Sequence, residues 1–141
     1  MNCLITIHDF HDTDGSVEKA ELTTIAEICG SENDYSISYD EQSDELRGCH
    51  TIMRVIDGKC VDVSRTGKYT TNLKIEQSKR NICCYSTPMG TLSMGVCASK
   101  ITSDFRINKL HKLDFSYTLD FDSALVSKNR IKITASYKEE N

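Results

Sequence analysis

The chain has 141 residues, of which 38% are hydrophobic and 27% are charged, and it carries a formal net charge of −4 at pH 7. This length is typical of one domain with a substantial core, so we expect residues 1–141 to form a single domain. Lysine and arginine are dispersed, which argues against nucleic-acid binding, and no apolar run approaches the roughly 18 residues of a membrane span.

The chain begins Met1-Asn-Cys-Leu-Ile-Thr-Ile7, which predicts a first strand. A secretory signal would need a basic region followed by an unbroken apolar stretch, whereas Thr6 interrupts this one and no basic residue precedes it. We therefore expect a cytoplasmic protein.

A polar segment follows, with metal-capable side chains at His8, Asp9, His11, Asp12 and Asp14. The segment does not match a calcium-binding loop, because the first ligand position would be Phe10. Zinc is also disfavoured, because the spacing of His8 and His11 does not make their side chains point in one direction. The segment is predicted to be a solvated loop, and no metal or cofactor site is predicted.

Apolar residues recur with a period of two along most of the chain, which indicates strands with one buried face. The stretch from Ser16 to Glu27 could instead begin as a helical turn capped by Ser16. Strands are predicted at 1–10, 19–29, 34–41, 48–56, 59–65, 69–77, 81–87, 91–104, 110–122 and 129–138.

Two of the short connections have clear turn chemistry. Asp57-Gly58 is typical of a two-residue type I′ turn, because both residues tolerate positive φ. In Thr87-Pro-Met-Gly90, proline presets φ and glycine suits a left-handed position, which predicts a three-residue hairpin loop with a bulge. In that register Tyr85 would lie opposite Ser93.

The clearest alternation lies near the C-terminus. Between 113 and 121 the apolar side chains share one face, and Asp114, Ser116, Thr118 and Asp120 share the other. About ten antiparallel strands would leave exposed edges unless the sheet closes. We therefore predict an all-β fold, a single antiparallel up-and-down β-barrel of eight to ten strands; the alternative is a two-sheet sandwich, which needs longer crossovers.

Seven cysteines would suggest disulfides in an exported protein, but without an export signal reduced thiols acting as apolar filler are expected. Cys83 and Cys84 are neighbours in a strand and should face opposite ways, which disfavours a shared zinc site. The same argument separates Cys49 from His50, and His111 is expected to be exposed near a turn.

Strand parity predicts that Tyr39, Glu41 and Arg65 point inward at one rim of the barrel, because strands three and five end at the same side. In one interpretation Arg65 and Tyr39 anchor the anionic head of a ligand in a mostly apolar cavity. In the other, which is favoured because barrels of about eight strands are often filled by side chains, Glu41 pairs with Arg65 and plugs the barrel end.

Three elements carry a family resemblance. They are Tyr39-Asp-Glu41, then Val61-Asp-Val-Ser-Arg65 with Gly67, and then Tyr85-Ser-Thr-Pro-Met-Gly90 followed by Leu92, Met94 and Val96. In order and spacing they resemble the YwiB-like family of bacterial proteins over residues 20–138. The resemblance implies a calycin-like β-barrel, related in shape to lipocalins, from a Gram-positive cytoplasm, and it implies no catalytic residue.

The predicted function is binding of a small apolar or amphipathic molecule in or at the barrel. Candidate binding residues are Tyr39, Glu41, Arg65, Tyr85 and Tyr117, and no catalytic residue is assigned. Tyr85 is included because turn chemistry leaves its hydroxyl unexplained. Alternatives are a filled barrel that acts as a protein-interaction module and, third, an enzyme with a carboxylate and tyrosine site at the rim.

Overall fold

The computed structural model describes residues 2–42, 47–67, 70–87, 90–104, 111–122 and 124–137, without the side chains of residues 85–87 and of Tyr137. Within these ranges every named element is a strand. The strands are β1 (Asn2–Thr13), β2 (Ser16–Ser31), β3 (Asp34–Asp40), β4 (His50–Ile56), β5 (Cys60–Thr66), β6 (Thr71–Glu76), β7 (Arg80–Thr87), β8 (Gly90–Asp104), β9 (His111–Phe121) and β10 (Ala124–Tyr137). No helix in the described ranges has the length and apolarity needed to cross a membrane.

The strands form a closed barrel in which each one pairs with its neighbours in sequence and β1 pairs with β10. All ten of these strand pairs are antiparallel. The predicted up-and-down barrel is thereby confirmed, and the sandwich alternative is excluded, because a two-sheet sandwich does not close on itself.

The first hairpin is longer than predicted. Thr13 pairs with Ser16, and the two residues between them, Asp14 and Gly15, have φ values of 53° and 82°. A two-residue turn joins two strands directly, so β1 and β2 both extend through the segment that was predicted to be a loop. The predictions of a polar loop after His8 and of a helical turn from Ser16 are therefore wrong, because the ladder extends to the turn itself.

Two other turns differ in register from the prediction. Asp57 and Gly58 have the expected positive φ of 53° and 62°, but Ile56 pairs with Cys60, so three residues separate the strands. Thr87 pairs with Gly90, so two residues separate β7 and β8, and Tyr85 lies opposite Leu92 instead of Ser93. The predicted three-residue loop is wrong by one position; the residues between Thr87 and Gly90 lie outside the described ranges.

The inward row of β9 is confirmed for most of its length. Leu113, Phe115 and Leu119 are buried and Tyr117 is half-buried, whereas Phe121 at the strand end is 49% exposed. The prediction that His111 is exposed is wrong: it is 5% exposed, because it is the first member of this inward row. Burial lowers the pKa of its imidazole, since desolvation disfavours the charged form.

The seven cysteines are free thiols in the structure. Cys3, Cys49 and Cys83 are buried and act as small apolar filler, whereas Cys29 and Cys84 are exposed, so the expectation of buried filler is wrong for these two. Cys84 is exposed, which confirms that it and Cys83 face opposite sides of the sheet.

One end of the barrel interior is filled by side chains, and we call it the packed end. It holds the largest fully buried apolar side chains: Phe115, Ile5, Ile75, Val55, Val61 and Val96. These residues come from six of the ten strands, which this layer joins through apolar contact. It also forms the base on which the opposite end of the barrel rests.

Candidate functional site

The opposite end of the barrel, which we call the open end, contains a cavity of about 650 Å³. Between the cavity and the packed end, the rings of Phe115 and Tyr117 are stacked with their centroids 5.9 Å apart. Phe115 is buried and Tyr117 lines the cavity, so β9 provides part of the floor. The apolar wall is formed by Ile7, Leu22, Met53, Val63, Leu73, Leu119 and Ile131.

Polar side chains line the mouth of this cavity because three strands end there. Strands β1, β3 and β5 run in the same direction around the barrel, and the inward positions near their ends are polar. Asn129 in β10 adds its side-chain amide to these polar groups. These polar lining residues, which we call the polar rim, are Asp9, His11, Tyr39, Glu41, Arg65 and Asn129.

Glu41 and Arg65 form an ion pair at the rim. The Arg65 Nη2 atom lies 3.3 Å from Glu41 Oε1, and the two side chains are only 19% and 9% exposed, arginine first. Thr51, which is fully buried, donates its hydroxyl to the same carboxylate oxygen at 2.8 Å and accepts a hydrogen bond from Arg65 Nε at 3.3 Å. The structure therefore realises the predicted pairing, and both charges are largely satisfied by protein groups.

Tyr39 lies beside the same carboxylate. Its side chain is 5% exposed, and its ring and hydroxyl line the cavity next to Glu41. Burial raises the pKa of the phenol well above its usual value, and the nearby Glu41 charge raises it further, because both disfavour a phenolate. The Tyr39 hydroxyl thus remains protonated.

Asp9 is the rim carboxylate that no protein group neutralises directly. It makes no hydrogen bond or ion pair with any residue in the described ranges, although it lies at the cavity beside the Glu41–Arg65 pair. Burial by the surrounding wall raises the pKa of its carboxyl, and the positive influence of His11 and Arg65 only partly offsets that effect. Asp9 is open to the cavity and is therefore available to a molecule within it.

His11 is held from the neighbouring strand. Its Nδ1 atom hydrogen-bonds the side-chain oxygen of Asn129, directly across the β1–β10 ladder. Asn129 in turn donates to the Ser127 hydroxyl at 3.0 Å. Since an amide oxygen only accepts, this arrangement places the imidazole proton on Nδ1 and orients the ring.

Four of the five residues predicted to bind a ligand line this one cavity: Tyr39, Glu41, Arg65 and Tyr117. The side chain of the fifth, Tyr85, lies outside the described residues. Asp9, His11 and Asn129 also line the cavity but are not among the predicted binding residues. For the first two a signal is present in the sequence, because they continue the inward parity of Ile5 and Ile7 along β1, although Asp9 itself is exposed.

The two hypotheses for Arg65 were an anion receptor and a partner for Glu41. Its contacts favour the second, because both Nε and Nη2 already serve protein acceptors. The barrel is nevertheless hollow at this end, so the ion pair borders the cavity and does not fill it. Among the described residues, no group of three or more His, Cys, Asp or Glu is arranged to hold a metal ion.

The comparisons with known proteins agree with the fold. The family described as "Domain of unknown function (DUF1934)" matches residues 5–133. Among solved structures, the ywiB protein from Bacillus subtilis matches with a TM-score of 0.82 and 21% sequence identity, over 98% of this chain and 92% of that chain. No protein of curated function matches. These findings confirm the predicted family resemblance, and at this identity the structural likeness establishes the fold alone.

Proposed function

We propose that this chain, which belongs to the DUF1934 family of domains of unknown function, binds a small apolar or amphipathic molecule inside the open end of its barrel. The observation that carries the proposal is the cavity of about 650 Å³. Ligand pockets commonly span roughly 300–1,000 Å³ and combine apolar walls with a few convergent polar groups. This cavity has both features, with its polar groups confined to the rim.

The arrangement of the walls supports an amphipathic occupant. Apolar residues such as Leu22, Val63 and Leu73 lie one inward position deeper than Asp9 and Arg65, where they would contact the body of a ligand. The polar rim lies at the mouth, where it would contact a head group and leave the tail in the apolar region. Burial of apolar surface would supply most of the affinity, at about 25 cal/mol per Å² removed from water.

The calycin-like character implied by the family resemblance is consistent with this role, but it is an analogy of fold and adds little about chemistry. An enzyme that uses Glu41 as a base has less support, because that carboxylate is engaged by Thr51 and Arg65. The cytoplasmic location also remains a proposal, and fractionation of cells that express the natural gene would test it.

An interaction module is the second candidate, and one surface feature favours it. A groove of about 590 Å³ runs over the outer faces of β4 to β7, and it includes Ile52 and Ile82, which are 42% and 64% exposed. Exposed apolar side chains that lie close together are typical of contact sites. The groove is outside the barrel, so binding of a protein there would be independent of the cavity.

Native mass spectrometry of the purified protein tests the first proposal directly. We expect adducts of small-molecule mass, or saturable binding of an added apolar fluorophore such as 1-anilinonaphthalene-8-sulfonate. Ile131→Trp should remove that binding, because the larger side chain occupies the cavity. Thr134→Trp is the matched control, since it adds the same ring to the exposed outer face of the same strand.

The two variants separate the outcomes. Loss of fluorophore binding in Ile131→Trp, with retention in Thr134→Trp, supports a ligand in the cavity. Equal binding by both variants, together with no adduct on the wild-type protein, contradicts the proposal and favours the outer groove. Thermal unfolding of each variant establishes that the barrel is intact before binding is compared.

A further inference from the structure

The charges around the cavity are unbalanced. The ionisable side chains that line it are the carboxylates Asp9, Glu21 and Glu41, the guanidinium of Arg65 and the imidazole of His11. One carboxylate and the guanidinium neutralise each other in the Glu41–Arg65 pair. Among the described residues, the lining therefore carries an excess of negative charge, and Glu21 at its edge is mostly exposed, next to His8.

Asp9 is the part of this excess that lines the cavity on the inward face of β1, where the residue is exposed to the solvent in the mouth. It has no hydrogen bond or ion pair within the described chain, and partial desolvation by the nearby wall raises the pKa of its carboxyl. An ionised carboxylate forms a strong charge-assisted hydrogen bond with a cationic donor. None of the described residues provides that donor, so a molecule bound in the cavity can supply it.

The remaining rim groups do not favour an anion. Among the described residues that line the cavity, Arg65 is the only guanidinium, and it already donates to Glu41 and Thr51. An anionic head near it would also lie near Asp9 and Glu41, and like charges in this setting repel strongly. The anchor predicted from sequence, an anionic head on Arg65, is therefore disfavoured by the charges around it.

We propose that the cavity selects a cationic amphiphile, an amine or ammonium head on an apolar body, with the Asp9 carboxylate as its counter-ion. This inference rests on the proposed function, because it names the ligand class for the same cavity. Leu22, Ile131 and Tyr117 contact the apolar body, and the aromatic ring of Tyr117 is also a suitable neighbour for a cation. The Glu41–Arg65 pair stays intact beside the bound head.

Three probes with one body test this ligand class: 4-phenylbutylamine, 4-phenylbutanol and 4-phenylbutanoate. Isothermal titration calorimetry at pH 7 and about 0.15 M salt limits long-range attraction to the acidic protein. A charge-assisted hydrogen bond predicts that the amine binds the wild-type protein about tenfold more tightly than the alcohol, and that the carboxylate binds most weakly.

Asp9→Asn keeps the shape of the side chain and removes its charge. We expect the amine to lose about tenfold in affinity, while the alcohol changes by less than about twofold, because only the amine uses the charge. Asp62→Asn is the matched control: it changes the net charge equally but lies on the outer face of β5, so the order of the three probes should persist.

The outcomes distinguish this inference from the function on which it rests. Equal binding of all three probes, or tighter binding of the carboxylate, overturns the cation preference and leaves cavity binding standing. An equal loss of amine binding in Asp9→Asn and Asp62→Asn also overturns it, since the effect would then be one of net charge. If no probe binds and no adduct is found by mass spectrometry, both proposals fail. The order of the three probe affinities for the wild-type protein tests the cation preference even if a variant does not fold.

Discussion

The packed end and the open end of the barrel use the same strands and the same alternation, but they differ in what occupies the inward positions. In β1, Ile5 is fully buried at the packed end, and four residues later Asp9 reaches the open end. In β9, Phe115 fills the interior, and Tyr117 next to it lines the cavity. The change from filled to hollow thus occurs within single strands.

This difference shows that closure of a barrel and filling of its interior are separate properties. Closure depends on ladder hydrogen bonds, which join every neighbouring pair of strands, although β6 and β7 share only the Asn72–Cys84 pair within the described residues. Filling depends on the volume and polarity of the inward side chains. Polar groups at the rim need protein partners or water for their hydrogen bonds, so the interior around them is less readily filled by apolar side chains. Stability is therefore expected to reside mainly in the packed end and ligand selectivity in the open end.

The largest effect is expected from Phe115→Ala. Truncation of this fully buried ring would leave a void between the packed layer and the cavity floor, with a loss of about 3–5 kcal/mol in the free energy of unfolding. Urea denaturation measures this change. A loss below about 1 kcal/mol would contradict the assignment of stability to the packed end.

A matched pair of isoleucines tests the comparison more directly. Ile5→Ala at the packed end should lower the free energy of unfolding by about 2–5 kcal/mol, because the site cannot collapse. Ile131→Ala at the open end should lower it clearly less, since part of that side chain already faces the cavity. Equal losses in urea denaturation would mean that the two ends are packed alike.

The Glu41–Arg65 pair should give an intermediate effect. Arg65→Met leaves a mostly buried carboxylate without its partner, and we expect a loss of about 1–3 kcal/mol in urea denaturation. Arg130→Met is the control, because Arg130 pairs with Asp114 on the exposed outer face, where water replaces the lost contact. The control should therefore be less destabilising, and the reverse order would show that the rim pair is not shielded.

Asp9→Asn should have the smallest effect on stability, and the effect should be an increase. The native pKa of Asp9 is raised, so the folded protein holds this proton more tightly than the unfolded chain does. Wild-type stability therefore falls as pH rises from the ordinary carboxyl range through the raised native pKa, and it stays lower above that range. The variant avoids this loss, so its Tm should exceed that of the wild type at pH 7 and match it in acid.

The pH comparison has its own control. Asp62→Asn removes a carboxylate from the outer face, near Arg54, and should not raise Tm at pH 7. If Asp9→Asn lowers Tm at pH 7 instead, Asp9 gains more from its surroundings than it loses by burial. If Asp9→Asn is more stable than the wild type and no longer prefers the amine, the carboxylate at the open end lowers stability and is needed for binding.

Several features could be predicted from local pattern because they depend on adjacent residues. Alternation placed Tyr39, Glu41 and Arg65 on inward faces, and the direction of strands three and five placed them at one rim. The same logic applied to Asp9 and His11 would have succeeded, but the density of polar residues there was interpreted as a loop. The loop prediction was wrong because polar residues indicate contact with water, and residues that line an open cavity are also in contact with water.

Other features depend on the exact length of a turn or on distant strands. The hairpin at Thr87 and Gly90 differs from its predicted register by one residue, since both loop lengths are compatible with proline and glycine. His111 is buried although Lys112 follows it, because the inward row of β9 begins two residues before Leu113, the first residue of the predicted row.

By itself, the sequence determined the all-β class, the ten strands, the antiparallel order and most inward faces, because a period of two and short turns are local properties of the chain. Only the tertiary structure decided that the interior is filled at Phe115 and hollow beside Arg65, and that Asp9 lies near Glu41 with no partner among the described residues. Those facts depend on the barrel diameter and on contacts between β1, β3 and β5, which no local pattern of residues specifies.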